Sequence, residues 1–177
     1  TTAGRRHVEV HFFGGEPFFA EEVVRFVVDY ASMRAAQMGF STHFETITNG
    51  FYPESCSKWI ANSFDTIILS LDGPQDIQES LRPAVNRGPT FATIFRNAKI
   101  FSAGAAELII RACVTSETVG RMAATAAWLA QELRPSTVCF ETLTPSPLAR
   151  ASKLSPPSPW EFARQFLEAS QILAEYG

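Results

Sequence analysis

The sequence predicts an α/β fold in which about five β/α units build a parallel sheet. Short segments in which apolar and polar residues alternate are typical of strands. Segments between them repeat apolar residues every three or four positions, which is typical of helices. The two kinds of segment follow one another along the chain, and a strand reaches a parallel neighbour only through a long crossover such as a helix.

The composition excludes several classes of protein. A chain of 177 residues with 46% hydrophobic and 19% charged residues fits one globular domain. The net charge of -3 argues against a nucleic-acid partner. No apolar run approaches the roughly 20 residues of a membrane span, so we expect a cytoplasmic protein without a membrane partner. The cysteines at 56, 113 and 139 are far apart and are expected to be buried free thiols.

The elements follow in order. Strands are predicted at 8–13, 42–48, 66–71, 108–114 and 137–143, and helices at 17–38, 53–64, 90–103, 118–133 and from 158 onward. In the first helix an apolar stripe is predicted at Phe19, Val23, Phe26, Val27 and Tyr30. The last helix opens with Ser158–Pro159–Trp160–Glu161, a capping box with proline at the first helical position. Residues 1–148 are interpreted as the sheet domain, and 149–177 as a proline-rich connection and a C-terminal helix.

Chemistry is expected beyond the carboxyl ends of the strands, where parallel sheets bind ligands. The first strand ends in Gly14, Gly15, Glu16 and Pro17. Two glycines let the backbone approach a ligand closely, and an acid beside exposed carbonyls suits an ammonium group. A turn in which Glu16 caps the following helix explains the same residues without a ligand, and both interpretations stay open.

Two further strand ends carry polar residues. Asn49–Gly50 closes the second strand and by itself is typical of a turn. The third strand ends in Ser70, Leu71 and Asp72, and Arg82 follows. Ser70 can donate to a ligand oxygen, and Arg82 can bind a carboxylate with two N–H groups, although an arginine in a solvated loop is equally compatible with the sequence.

Taken in order, these strand ends resemble those of one enzyme family. The strings FFGGEP, TNG and SLDGP, followed by RP and GPTF, are similar to the radical S-adenosylmethionine (SAM) enzymes that modify peptides and proteins, including the anaerobic sulfatase-maturating enzymes. The resemblance covers residues 8–145. It implies a partial (β/α)6 barrel that lacks the first strand.

The resemblance also implies SAM as cofactor. It assigns the SAM amino group to Gly14, Gly15, Glu16 and the adjoining Pro17, and the SAM carboxylate to Ser70 and Arg82. Asn49 and Asp72 belong to the matching strings, and Glu141 on the fifth strand is a looser match that borders the adenosine. Ile47 departs from the pattern, because relatives carry Gln or Thr there. The resemblance assigns no residue as a catalytic acid or base.

A second departure concerns the 4Fe–4S cluster of the family. Its CxxxCxxC ligands precede the GGEP string in relatives, and this chain begins a few residues before that string. Cys56, Cys113 and Cys139 do not form such a motif. The resemblance therefore implies an inactive chain, either a fragment of a radical SAM enzyme or a degenerate form, and the sequence leaves both open.

The resemblance implies a peptide or protein substrate and an electron donor for the parent enzyme, which cleaves SAM reductively to a 5′-deoxyadenosyl radical. The alternative is a cluster-free module that binds a peptide. A metal site at His7, Glu9 and His11, which alternate along one strand, is a further alternative to a polar strand face.

Strand physics adds two hypotheses. If Ile47 faces the cofactor, His43 and Glu45 share its face and line the barrel interior. With the preceding strand missing, the edge at 8–13 is expected to pair with another copy, to be covered by residues 1–6, or to cause aggregation.

Overall fold

The computed structural model describes residues 7–84 and 88–176 and shows one open, parallel sheet with helices on one face. The strands are β1 His7–Phe12, β2 Ser41–Thr48, β3 Thr66–Ser70, β4 Glu107–Val114 and β5 Thr137–Thr142. The helices are α1 Glu21–Gln37, α2 Glu54–Ser63, α3 Gln75–Leu81, α4 Phe91–Ser102, α5 Met122–Leu133, α6 Pro147–Ala151 and α7 Pro159–Glu175. The strands lie in the order β1-β2-β3-β4-β5, and every neighbouring pair is parallel. The predicted fold class is confirmed.

The two faces of the sheet differ in chemistry. On the helix side, alternate strand residues such as Phe44, Leu69 and Ile110 are buried in the main hydrophobic core. The opposite face, which we call the open face, carries the intervening residues. Its middle row is apolar, because Ile47 pairs with Ile68 and Ile68 pairs with Ile109 in the register. The open face therefore offers an apolar row on which a ligand can pack.

An aromatic cluster fixes the first two strands to their helices. Phe64, which follows α2, contacts the rings of Phe12, Phe18, Phe44 and Trp59 at centroid distances of 5.5–6.3 Å, all edge to face. Edge-to-face pairs of this kind stabilise a core beyond their buried area. The cluster holds the loop after β1 in a defined position, because Phe18 belongs to that loop.

The apolar stripe predicted for α1 lies mostly on the exposed side of the helix and not against the core. Phe19, Val23, Phe26 and Tyr30 are each more than half exposed. The helix instead buries the smaller residues Val24, Val28 and Ala35. Apolar residues occur on both faces of the helix, so periodicity alone does not indicate which face is buried. The smaller side chains allow the helix to pack closer to the sheet.

Other departures are local. The polar stretch after β3 contains α3, and α6 forms within the proline-rich connection; neither helix was predicted. Of the cysteines, only Cys56 is buried, whereas Cys113 is half-buried and Cys139 is exposed. Burial raises the pKa of the Cys56 thiol to about 12, so that this thiol stays protonated at neutral pH.

The C-terminal helix completes the fold. Ser158 accepts a hydrogen bond from the Glu161 backbone at 3.2 Å, which confirms the predicted cap of α7. Ala169 of α7 is buried against Met122 and Ala126 of α5. Within residues 7–84 and 88–176, no helix combines the length and apolar composition that crossing a membrane requires.

Candidate functional site

The polar residues predicted from the strand ends lie along one edge of the sheet. Because all five strands are parallel, their carboxyl ends share this edge. Gly14, Gly15 and Glu16 follow β1, Asn49 follows β2, and Ser70 ends β3. Glu141 lies near the end of β5. The topology therefore brings the predicted residues to a common edge.

Glu16 joins the ends of β1 and β2. Its carboxylate accepts hydrogen bonds from the Thr48 hydroxyl at 2.8 Å, the Asn49 backbone N–H at 2.7 Å and, more weakly, the Phe18 N–H at 3.4 Å. Burial raises the pKa of Glu16, and these hydrogen bonds oppose the rise. Gly14 has a φ of 133°, a conformation that glycine adopts readily. The carboxylate caps its own loop, as the ligand-free interpretation expects. It also joins this loop, which the resemblance assigns to the SAM amino group, to the loop after β2.

The loop after β2 is packed tightly. Asn49 accepts a hydrogen bond from the Phe51 N–H at 2.7 Å, which closes the turn. Gly50 has a φ of 72°, and a Cβ atom there would lie 2.6 Å from the side chain of Leu69. The Nδ2 of Asn97 on α4 donates to the carbonyls of Gly50 and Tyr52 at 2.8 and 2.9 Å. Backbone groups of this loop are therefore satisfied by a buried side chain from a distant helix.

A pocket at the ends of β3, β4 and β5 gathers three of the predicted residues. Its volume is about 290 Å³. The lining residues are Ser70, Arg82, Arg111, Cys113, Glu141, Thr142 and Thr144. Gly14, Gly15, Glu16, Pro17 and Asn49 do not line it, although they follow strands at the same edge. The lining supplies hydroxyl groups and guanidinium groups, which suit a carboxylate ligand.

Arg82 forms a two-pronged ion pair with Asp72. Its Nε lies 2.6 Å from Asp72 Oδ2, and its Nη2 lies 3.1 Å from Oδ1. Burial lowers the pKa of Arg82, but the hydrogen bonds and charge of Asp72 outweigh that effect and raise it. Asp72 therefore contacts Arg82 directly. A contact between Asp72 and a cofactor remains a prediction.

Sequence reasoning missed Arg111 and Cys113, which also line the pocket. Arg111 Nη2 lies 2.6 Å from a carboxylate oxygen of Glu141 on the adjacent strand. Burial raises the pKa of the Cys113 thiol. The alternation of side chains along β4 could have identified both residues. Arg111 pairs with Ser70 in the register, and Cys113 lies two positions further along the same face.

Solved structures share this architecture. The chain superposes on native anSMEcpe with bound AdoMet (SAM) and a peptide at a TM-score of 0.70, with 20% identity over 97% of this chain and 47% of that one. A domain of pyruvate-formate lyase-activating enzyme from Bacteroides vulgatus gives 0.66, with 19% identity over 95% and 94%. Coproporphyrinogen III oxidase (HemN) from Escherichia coli, a radical SAM enzyme, gives 0.63, with 20% identity over 97% and 41%. The chain has the same fold as these enzymes.

The sheet of five strands is an open part of that barrel-like fold, as predicted. The chain spans less than half the length of anSMEcpe. No family model and no curated protein sequence matches it.

The three cysteines of the chain do not fit a 4Fe–4S cluster. Cys56 lies in the hydrophobic core, Cys113 lies in the pocket and Cys139 is exposed on β5. Among the described residues, no group of three or more Cys, His, Asp or Glu side chains is placed to hold a metal ion. The predicted alternative of a metal site at His7, Glu9 and His11 therefore gains no support.

His43, Glu45 and Ile47 share one face of the sheet, as expected, whereas contact of that face with the cofactor stays a prediction. His43 and Glu45 lie on the face of Ile47, because the intervening Phe44 is buried in the helix-side core. His43 hydrogen-bonds the Thr66 hydroxyl at 3.1 Å, and Glu45 hydrogen-bonds Nδ1 of His11 at 2.8 Å. The hydrogen bond that the Glu45 carboxylate accepts from His11 is the largest cause of the raised pKa of His11. These side chains satisfy one another across neighbouring strands.

What covers the outer edge of β1 stays a prediction. In the described part of the chain, β1 pairs with β2 alone, and the other side of the strand has no strand partner. Residues 1–6, which were expected to cover this edge as one outcome, lie outside the described residues.

Proposed function

We propose that the carboxyl edge of the sheet binds SAM, and that the chain is the central part of a radical SAM enzyme that modifies a peptide or protein. In such enzymes SAM supplies the 5′-deoxyadenosyl radical. The electron donor and the cytoplasmic location expected from the sequence belong to the same proposal.

One observation carries the proposal: the pocket of about 290 Å³ unites Ser70, Arg82 and Glu141, which the sequence separates by up to 71 positions. Ser70 and Arg82 supply O–H and N–H donors for the carboxylate of SAM. The loop of Gly14, Gly15 and Glu16 supplies carbonyl oxygens, and the carboxylate of Glu16 retains acceptor capacity, for the ammonium group. Together they provide both kinds of contact that an amino-acid moiety needs.

A peptide or protein substrate is supported by two features. The chain is similar in fold to anSMEcpe, which was solved with SAM and a peptide. The open face combines the row of Ile47, Ile68 and Ile109 with the polar residues His43 and Glu45. An extended peptide needs such a mixture of apolar contacts and hydrogen-bonding partners.

The second candidate is a cluster-free module that binds a peptide without SAM chemistry. The open face favours it, because the row of Ile47, Ile68 and Ile109 beside polar side chains can bind a peptide without a cofactor. The two candidates differ in one measurable property, because a pure peptide-binding module has no use for a pocket that recognises the carboxylate of SAM.

Replacing Ser70 with alanine tests the proposal. We expect the wild-type protein to bind SAM, and Ser70→Ala to bind it about 10- to 100-fold more weakly, because a hydrogen bond to a charged group contributes about 1.5–3 kcal/mol. Titration calorimetry with SAM measures both affinities. Among the described residues no hydrogen bond of the Ser70 hydroxyl is present, so the substitution breaks none between these residues.

Ser55→Ala is the matched control, because Ser55 is exposed on α2, away from the pocket lining. It is expected to bind SAM as the wild type does. Equal affinities of the Ser70 and Ser55 variants would contradict the role of Ser70, and a wild-type protein that binds peptide but not SAM would favour the second candidate.

A further inference from the structure

The ion pair between Asp72 and Arg82 is asymmetric in its exposure. The side chain of Asp72 has no accessible surface, whereas that of Arg82 is 36% accessible. Arg82 lines the pocket with Ser70, and Asp72 does not. Asp72 instead lines a smaller cavity of about 190 Å³, which Arg82 and Cys113 also line. The pair therefore presents a guanidinium to the pocket and keeps the carboxylate behind it.

The geometry of the pair fixes the plane of the guanidinium. Asp72 accepts hydrogen bonds from Nε at 2.6 Å and from Nη2 at 3.1 Å, which are neighbouring nitrogens on one side of the planar group. A guanidinium has five N–H groups in a rigid arrangement. Binding through Nε and one N–H of Nη2 leaves the N–H groups of Nη1 and the second N–H of Nη2 directed away from Asp72.

Asp72 is itself held in place. Its Oδ1 accepts a hydrogen bond from the Cys113 N–H of β4 at 2.8 Å. Its own N–H donates to Oε1 of Gln78 at 2.7 Å, and Gln78 is completely buried in α3. The Arg82 N–H in turn donates to the Gln78 carbonyl at 2.8 Å. Both partners of the ion pair are therefore held in place by hydrogen bonds to β4 and α3.

We infer that Asp72 is a positioning residue: it holds the guanidinium of Arg82 in the orientation in which the outer N–H groups receive the carboxylate of SAM. In this role Asp72 acts through Arg82, which replaces the direct cofactor contact that the resemblance implies for Asp72. A free arginine side chain loses considerable rotamer entropy when it is immobilised by a ligand, and prior immobilisation by Asp72 removes that cost from binding. This inference rests on the proposed function.

The test compares SAM with decarboxylated SAM, which lacks the carboxylate, in the full chain. The wild type is expected to prefer SAM by about tenfold or more, which is the contribution of a hydrogen-bonded charge. In Asp72→Asn, the affinity for decarboxylated SAM is expected to stay unchanged, and the preference is expected to fall below about threefold. Asp76→Asn is the matched control, because Asp76 pairs with Arg121 on the surface, and it should keep the wild-type preference.

Three outcomes decide between the possibilities. If Asp72→Asn weakens both ligands by the same factor, or keeps the preference, the inference is overturned while the proposed function stands. If the wild type binds neither ligand, the proposed function fails. If Asp72→Asn does not fold, ¹⁵N NMR of the ligand-free wild type decides: a slowly exchanging Arg82 Nε–H with restricted motion supports prior positioning, and a rapidly averaging guanidinium overturns it.

Discussion

Replacing Asn97 with alanine is expected to destabilise the protein by about 3 kcal/mol, because each buried backbone carbonyl that loses its donor costs about 1–3 kcal/mol. Asn97 is completely buried, and its Nδ2 donates to the carbonyls of both Gly50 and Tyr52. The substitution removes both hydrogen bonds and leaves a space between α4 and the loop after β2. Urea denaturation followed by circular dichroism measures the free energy of unfolding.

Asn62→Ala is the control for this prediction. Asn62 is exposed on α2, where its Nδ2 donates to the Lys58 carbonyl at 2.8 Å. The change there is expected to stay within about 0.5 kcal/mol. If the Asn97 variant lost no more stability than the Asn62 variant, the loop would not depend on the buried amide.

Replacing Arg82 with alanine is also expected to cost about 3 kcal/mol of stability, because it leaves the carboxylate of Asp72 buried without a countercharge. This lies at the lower end of the cost of breaking a buried ion pair, since the side chain of Arg82 is 36% accessible and water can partly replace it. The double variant Arg82→Ala with Asp72→Ala is expected to lose less stability than the sum of the two single variants, because the partners are coupled. Thermal and urea unfolding of all the variants in this cycle measure the coupling.

Arg121→Ala is the control for the ion pair. Arg121 forms a similar pair with Asp76, but both side chains are exposed. Exposed pairs contribute little, so the loss is expected to stay within about 1 kcal/mol. Equal losses for Arg82→Ala and Arg121→Ala would contradict the structural importance of the buried carboxylate.

The fold was predictable from sequence because its elements are locally encoded. In β4, Leu108, Ile110 and Ala112 alternate with residues of the other face, and this pattern specifies both the strand and its buried side. In α1 the same reasoning does not identify the buried face, because Phe19 and Val23 match helical spacing as well as Val24 and Val28 do. Which apolar face is buried depends on packing against the sheet, and periodicity does not contain that information.

The site was predictable where it coincides with strand ends. Ser70 and Arg82 line one pocket with Glu141, as expected for residues that reach the same edge of a parallel sheet. The contacts that organise this edge were not predictable. Two such contacts are the ion pair of Asp72 with Arg82 and the hydrogen bond from Asn97 to the Gly50 carbonyl. They depend on the three-dimensional arrangement of α3 and α4, which no local pattern specifies.

A crystal structure of the protein with SAM tests the central claim most directly. The account predicts that the carboxylate of SAM lies within hydrogen-bonding distance, about 2.7–3.2 Å, of the Ser70 hydroxyl and an outer N–H of Arg82, with the ammonium group at the loop of Gly14, Gly15 and Glu16. Ordered SAM bound away from the carboxyl edge of the sheet, or bound at that edge with its carboxylate in solvent, would contradict it.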